Sequence, residues 1–390
     1  MKPFIVGIGR AGCRIANIFF SESNAKIKYS GVAVDTEKSE LDFSKGYKII
    51  IGEKFFGGNG TGKDLSIGKE IMKGEKLSII EKIDRVKGSP DCFLVISGMG
   101  GGTGGAVAPL LEEMKRSYIE PVYYAGVLPS EEDLLEVRKN YSEVFKELLK
   151  LSDAQFFIDN NALKKGGRLR GRYNSINKQV FSYFNSLFEV GEVRSRDEVG
   201  TEGVTTGDTK NTLTGVSTIG IGEYEISDEA RGIFRSKKKD IDKPELVISL
   251  TEEASKNFLM NFDIMDAQKA LVVVSGPKRY LDFLGSIPAR LWVEKRIEGE
   301  VRGGDMPSKG KKSLQVMLVF SGIKKSERIR QLYGQYKESK EEVKPPEKEK
   351  ADVHEKLEVI GSKVSDIRDK MNEVSEELDK MLGEGSRGDE

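Results

Sequence analysis

The sequence predicts an α/β protein built on a parallel sheet, and three observations carry that reading. Short apolar runs such as PFIVGI (3–8), GVAVDT (31–36) and DCFLVISG (91–98) read as buried strands. Helical patterns separate them, and alternating strands and helices imply right-handed crossovers. Glycine-rich loops follow several strands, at the carboxyl ends where such sheets bind ligands.

Taken in order, residues 3–8 form the first strand, followed by a glycine turn and a helix from about Cys13 to Phe20. GVAVDT is the second strand and YKIII (47–51) the third, which leads into FFGGNGTGKD. A helix is predicted over about 66–87, then the strand 91–98, the loop MGGGTGG and a helix over about 104–116. PVYYAGVL (121–128) and AQFFID (154–159) are further strands with a helix between them. A long amphipathic helix spans 172–190, and the stretch 195–215 is polar and rich in Gly and Thr. Beyond it are a helix (about 247–262), the strand ALVVVSG (270–276), a helix (about 278–287) and strands near 291–301 and 314–322, which suggest a smaller α/β domain.

At Lys337 the composition changes. KESKEEVKPPEKEK has charge and two prolines but no core-forming residues, the signature of a linker. Val353, Leu357, Ile360, Val364, Ile367, Met371, Val374, Leu378 and Met381 then step by four and three, as in a coiled-coil seam or a docking helix. The expected division is a first domain over 1–171, a central helix over 172–195, a second domain over 196–335, a linker over 336–352 and a coiled-coil-like tail over 353–382.

Composition narrows the functional classes. Across 390 residues the formal net charge is zero, so no global field draws the chain to nucleic acid or to an anionic membrane. Two cysteines, Cys13 and Cys92, make no disulfide framework, in keeping with a cytoplasmic setting. The single histidine, His354, lies in the tail, which disfavours histidine-based metal or triad chemistry. No apolar run reaches the roughly 18 residues a membrane span requires, and no signal peptide opens the chain. The apolar stripe of the tail lacks a strongly basic face, so any membrane contact is indirect.

Three glycine loops carry the chemistry. Gly98–Gly105 (GMGGGTGG) joins a buried strand to a helix; its glycines let successive backbone N–H groups turn toward one anion, and Thr103 adds a hydroxyl. Gly7–Gly12 (GIGRAG) has the GxGxxG spacing, which with Asp35 at the end of the second strand equally describes a Rossmann dinucleotide site. An NAD- or FAD-dependent oxidoreductase is therefore an alternative from another class. The count of three loops speaks against it, and the lack of GxxxxGK[ST] speaks against an ordinary P-loop enzyme. Gly57–Lys63 (GGNGTGK) is the third loop, with Lys63 offering charge to a phosphate.

These motifs and their order resemble the tubulin/FtsZ superfamily. GGGTGGAVAP is similar to its signature loop, with the last hydroxyl replaced by glycine. LPSEEDLLEVR falls in the ribose-side position, and FIDNNAL and YNSINKQV resemble the segments leading into the superfamily's central helix. EPVYYAGVLP, NTLTGVSTIG and EVRGGDMP resemble the archaeal CetZ group, and the likeness runs from residue 4 to about 335.

The resemblance implies a Rossmann-like GTPase domain that holds GTP or GDP with Mg2+. Phosphates would lie on Gly9, Arg10, Ala11, Gly100, Gly101, Gly102, Thr103 and Gly104, with Arg14 in the same set and Gly62 and Lys63 near the γ-phosphate. Asn160 and Asn177 would read guanine and ribose, Glu136 would stand in the ribose loop, and Asp35 and Glu37 near the metal. Subunits would assemble head to tail into filaments, each completing its neighbour's site with the loop Glu202–Lys210, in which Asp208 and then Glu202 are the catalytic candidates. This loop departs from the family: Thr205 stands at the first acidic place and Gly203 replaces an asparagine. Slow hydrolysis, or a GTP-binding scaffold without useful turnover, is the corresponding alternative. The group's association with archaeal cell shape is a further implication, as is a protein partner or self-association for the tail.

Overall fold

The computed structural model of the chain describes residues 1–22, 26–130, 133–148, 151–161, 163, 169–193, 195, 198–226, 244–308, 311–328 and 330–331. The linker and coiled-coil expectations for 336–382 lie outside the described residues.

Fully apolar strands need cover on both faces, and the helices between them supply it. The chain runs β1 (Pro3–Ile8), α1 (Gly9–Ser21), β2 (Ser30–Asp35), α2 (Lys38–Asp42), β3 (Tyr47–Ile50), α3 (Glu53–Phe56), α4 (Leu65–Val86) and β4 (Cys92–Gly98). It continues with α5 (Gly102–Gly105), α6 (Ala108–Ser117), β5 (Val122–Leu128), α7 (Leu135–Leu148), β6 (Ala154–Asp159) and α8 (Leu169–Phe188). The strand order β3-β2-β1-β4-β5-β6 is parallel throughout. One apolar layer joins α1 and α8 to one face of this sheet, through residues such as Ile15, Phe19, Val180 and Phe184. Another joins α4, α6 and α7 to the opposite face, through Ile79, Leu110 and Val144.

The second half holds α9 (Thr206–Thr212), β7 (Gly215–Glu225), α10 (Pro244–Ala254), β8 (Lys269–Gly276), α11 (Lys278–Leu284), α12 (Ile287–Glu294), β9 (Glu300–Pro307) and β10 (Ser313–Ser321). Its strands extend the same sheet, because β7 pairs parallel with β6 at Ala154↔Gly215, Gln155↔Val216 and Phe156↔Ser217. The result is ten strands, mostly parallel, in the order β3-β2-β1-β4-β5-β6-β7-β10-β8-β9. The antiparallel pairs are β7–β10 and β10–β8.

Several elements differ from the sequence expectation, and the helix expected over about 247–262 is α10, which ends at Ala254. The strand expected near 291–301 is the helix α12 followed by β9 at Glu300–Pro307. Leu291, Trp292 and Val293 suit a strand, but Pro288 starts a helix, and Ala289 and Val293, four apart, bury one face of it. Strand β7, in the stretch GVSTIGIGEYE, carries too few large apolar residues to be read from its pattern. Its glycines serve packing, since a Cβ on Gly222 would lie 2.1 Å from the Leu250 carbonyl of α10. Helix α1 also begins at Gly9 rather than near Cys13, which brings the whole GIGRAG turn to its N-terminus.

Cys13 and Cys92 are buried free thiols. Among the described residues no helix is long and apolar enough to cross a membrane.

Candidate functional site

A cavity of about 650 Å3 opens at the carboxyl ends of β1, β2, β4, β5 and β6. That is within the usual range of small-molecule sites, roughly 300–1,000 Å3. Its lining brings together residues from several separate stretches of the chain. Gly9, Arg10, Ala11 and Arg14 come from the start of α1, and Asp35 and Glu37 from the end of β2. Gly62 and Lys63 come from the third glycine loop, and Gly100–Gly104 from the loop after β4. Asn160 follows β6 and Asn177 lies on α8. Glu136 is exposed and does not line the cavity; Asp133 and Val137 occupy that wall instead.

The phosphate-type end is built by close backbone approach. Gly9 has φ of 67°, and a Cβ there would stand 2.8 Å from the Gly104 nitrogen, so only glycine lets the loop after β1 and the loop after β4 meet. No side chain caps the N-terminus of α1, which leaves its first N–H groups and positive dipole end facing the cavity. Thr36 and Thr103, both buried, share a hydroxyl–hydroxyl hydrogen bond of 2.7 Å. Asn140 of α7 donates to the Lys63 carbonyl (3.0 Å) and the Gly100 carbonyl (3.1 Å), tying the third glycine loop to the loop after β4. Lys63 itself has φ of 73°, a left-handed conformation that a non-glycine residue rarely adopts.

The electrostatics are mixed. Arg10 reaches Glu37 (2.9 Å) and Glu40 (2.7 Å), and Arg14 reaches Glu40 (2.9 Å). Both guanidinium groups are more than half exposed, so these pairs add little stability and are easily exchanged for another anion. Asp35 is different, being only 3% exposed. Its Oδ1 accepts from the Thr36 and Glu37 amides (2.8 and 3.3 Å), while Oδ2 is buried without a partner. Burial pushes its carboxyl up to about 6, against the lowering by those two amides. An orphaned carboxylate oxygen beside a phosphate-type cradle fits a hydrated divalent cation, which takes oxygen ligands.

The catalytic candidates Asp208 and Glu202 lie outside the cavity lining. Thr205 and Asp208 form a capping box at the start of α9: Thr205 N and Oγ1 donate to Asp208 Oδ2 (2.9 and 2.7 Å), and Asp208 N donates to Thr205 Oγ1 (3.2 Å). Arg302 Nη1 donates to Asp208 Oδ1 at 3.3 Å. Partial burial pushes the Asp208 carboxyl up, but Thr205 and Arg302 outweigh it and hold the group below the usual carboxylate range. Glu202 accepts from Ser286 Oγ at 2.5 Å and pairs with Arg290 at 3.7 Å.

Residues 3–167 match the family model described as "Tubulin/FtsZ family, GTPase domain", and residues 166–338 match "Tubulin-like CetZ, C-terminal domain". Tubulin-like protein CetZ1 of Haloferax volcanii is 32% identical over 365 residues, covering 85% of this chain and 91% of that protein. The chain belongs to the CetZ group of the tubulin/FtsZ family. CetZ of Thermococcus kodakarensis is 27% identical over 348 residues, covering 87% of this chain and 86% of its own. Among solved structures, H. volcanii CetZ1 as a GDP-bound monomer superposes with a TM-score of 0.74 at 29% identity, covering 87% of this chain and all of the other. H. volcanii CetZ2, in a GTPγS-bound protofilament, gives 0.76 at 25% identity, with 88% and 100% covered.

Membership in the CetZ group sets aside the dinucleotide-oxidoreductase reading of GIGRAG and Asp35. The CetZ fold also brings to the cavity residues that motif reasoning passed over. Tyr173 lines it one helical turn before Asn177, a spacing visible in YNSIN. Thr36, next to Asp35, and Asn140, within α7, had no local signal, because their roles depend on loops that meet only in the folded chain.

Proposed function

We propose that this CetZ-family chain binds a guanine nucleotide with Mg2+ in the cavity and assembles head to tail into filaments. The observation that carries the proposal is the convergence of three glycine loops with Asn160, Tyr173 and Asn177 on one cavity. The glycine backbone of 100–104 and the α1 N-terminus suit the polyphosphate. The amides of Asn160 and Asn177 offer both a donor and an acceptor, which suits guanine. The GDP-bound CetZ1 and GTPγS-bound CetZ2 structures support the same ligand class, and the CetZ2 protofilament supports self-assembly.

Bound among the phosphates, Mg2+ would supply charge neutralisation there. Asp35 and Glu37 would hold it from the protein side. Lys63 would add positive charge toward the terminal phosphate. Because Asp208 and Glu202 stand away from the cavity, they would serve the nucleotide of an adjacent subunit. Asp208, held ionised by Thr205 and Arg302, would orient a water by electrostatics and positioning rather than take a proton as a strong base. Hydrolysis would then require assembly.

A second reading is a nucleotide-binding scaffold with little turnover. It is favoured by the engagement of both Asp208 oxygens and of Glu202 in bonds within the subunit. Phosphate release from GTP, with ATP as the control, separates the two when followed against protein concentration alongside sedimentation. Turnover per subunit that is GTP-selective and rises above a threshold concentration supports the first reading. Sedimenting, GTP-bound protein that releases no phosphate supports the second.

A further inference from the structure

The segment Arg302–Asp305 of β9 lies outside the cavity, yet three of its four residues engage the loop that leads into α9 or the first turn of that helix. Asp305, 4% exposed, accepts from the Glu202 amide through Oδ1 (2.6 Å) and from the Thr201 amide through Oδ2 (3.0 Å). Its own amide donates to the Glu202 carbonyl at 3.0 Å, and Gly203 forms a parallel bridge with Asp305. A Cβ on Gly304 would stand 1.9 Å from the Glu202 carbonyl, so the loop lies directly on the strand backbone. Arg302 contacts Asp208, six residues after Glu202 in the first turn of α9. One strand therefore holds both acidic candidates, Glu202 through the main chain and Asp208 through its carboxylate.

We propose that Arg302–Asp305 is the positioning element of the 200–208 loop, with Asp305 fixing where Glu202 and the turn into α9 stand against a neighbouring subunit's nucleotide. This rests on the reading above that the loop serves an adjacent site. The physical reason is charge-assisted hydrogen bonding. A buried carboxylate that accepts two successive amides fixes both the position and the direction of the turn, and its low-dielectric surroundings strengthen each bond. Asp305 touches no reacting atom and acts through Glu202 and Thr201.

Two variants test it in the full chain. Asp305→Asn keeps the shape but replaces one acceptor with a donor that faces an amide. Gly304→Ala pushes the loop off the strand. Hydrogen exchange over 199–208 is expected to speed up by about tenfold or more in both, while the glycine loops keep their protection. Affinity of the unassembled subunit for GTP is expected to stay within about twofold, and turnover of assembled protein to fall about tenfold or more. Mixing Asp305→Asn subunits with Asn160→Ala/Asn177→Ala subunits, whose loop is intact, is expected to restore turnover, which general destabilisation would not permit. Unchanged exchange over 199–208 overturns the proposal. Joint loss of GTP affinity and turnover, unrestored by mixing, also overturns it. A parent protein that releases no phosphate, with the loop still loosened in both variants, leaves Asp305 as the positioning residue and removes the hydrolytic reading instead.

Discussion

Thr36 Oγ1 and Thr103 Oγ1 stand 2.7 Å apart, joining the turn after β2 to the glycine loop after β4 where both line the cavity. With both residues buried, loss of either hydroxyl leaves the other without its partner. Thr36→Val and Thr103→Val are each expected to cost about 1 kcal/mol of stability. Thr103→Val should weaken GTP binding more, because it also removes the hydroxyl assigned to a phosphate. Titration calorimetry of both variants checks the order; equal affinities would remove Thr103 from nucleotide contact.

Asp35 makes the nucleotide-free protein sensitive to pH. Its carboxyl is raised from an ordinary 3.8 to about 6 by burial, against the lowering by the Thr36 and Glu37 amides. A raised carboxyl favours the folded state only while protonated. Its contribution is complete below about pH 4 and is lost as pH rises through about 6. Asp35→Asn is expected to flatten that slope and to stabilise the empty protein near neutrality by about 1–3 kcal/mol. The same change should weaken Mg2+-dependent GTP binding. Thermal unfolding across this window, with and without nucleotide, tests both halves, and a destabilised empty Asp35→Asn protein would contradict the burial argument.

Lys63 holds a left-handed backbone, with φ of 73°, in the third glycine loop. Glycine relieves that conformation, so Lys63→Gly is expected to raise stability by about 1 kcal/mol. Lys63→Ala keeps the conformation and gains nothing. Both lose the charge, and both should bind GTP less tightly while GDP affinity changes little. A parallel loss for GDP would place the ammonium away from the terminal phosphate.

Thr205 is the N-cap of α9, and Asp is an equally good cap. Thr205→Asp is therefore expected to leave α9 folded while adding a second carboxylate to the loop. If the missing acidic residue limits turnover, phosphate release from assembled protein should rise several-fold, by roughly 1 kcal/mol of barrier. Asp208→Ala should lower turnover and leave GTP affinity intact. Hydrolysis by Asp208→Ala at the parental rate would take this residue out of the mechanism.

Much of the first half was legible because its signals are local. The apolar runs of β1, β4 and β6, with the glycine turns after β1 and β4, specify buried strands and anion-turned backbone within a few residues of chain. β7 and α12 escaped this reading because their identity depends on partners. Glycines in β7 suit a strand only with α10 pressed against it, and Leu291–Val293 become helical under Pro288 and a one-sided burial.

By itself, the sequence determined an α/β chain with three phosphate-type loops in a set order and an acidic loop far along the chain. Those features reside in glycine spacing and strand composition, which act over short distances. Only the tertiary structure decided that β7 continues the parallel sheet from β6, that Asn140 ties two loops together, and that Asp305 holds the turn at Glu202. Each of these is a hydrogen bond between groups 40 or more residues apart in the chain, and no local propensity encodes such a meeting.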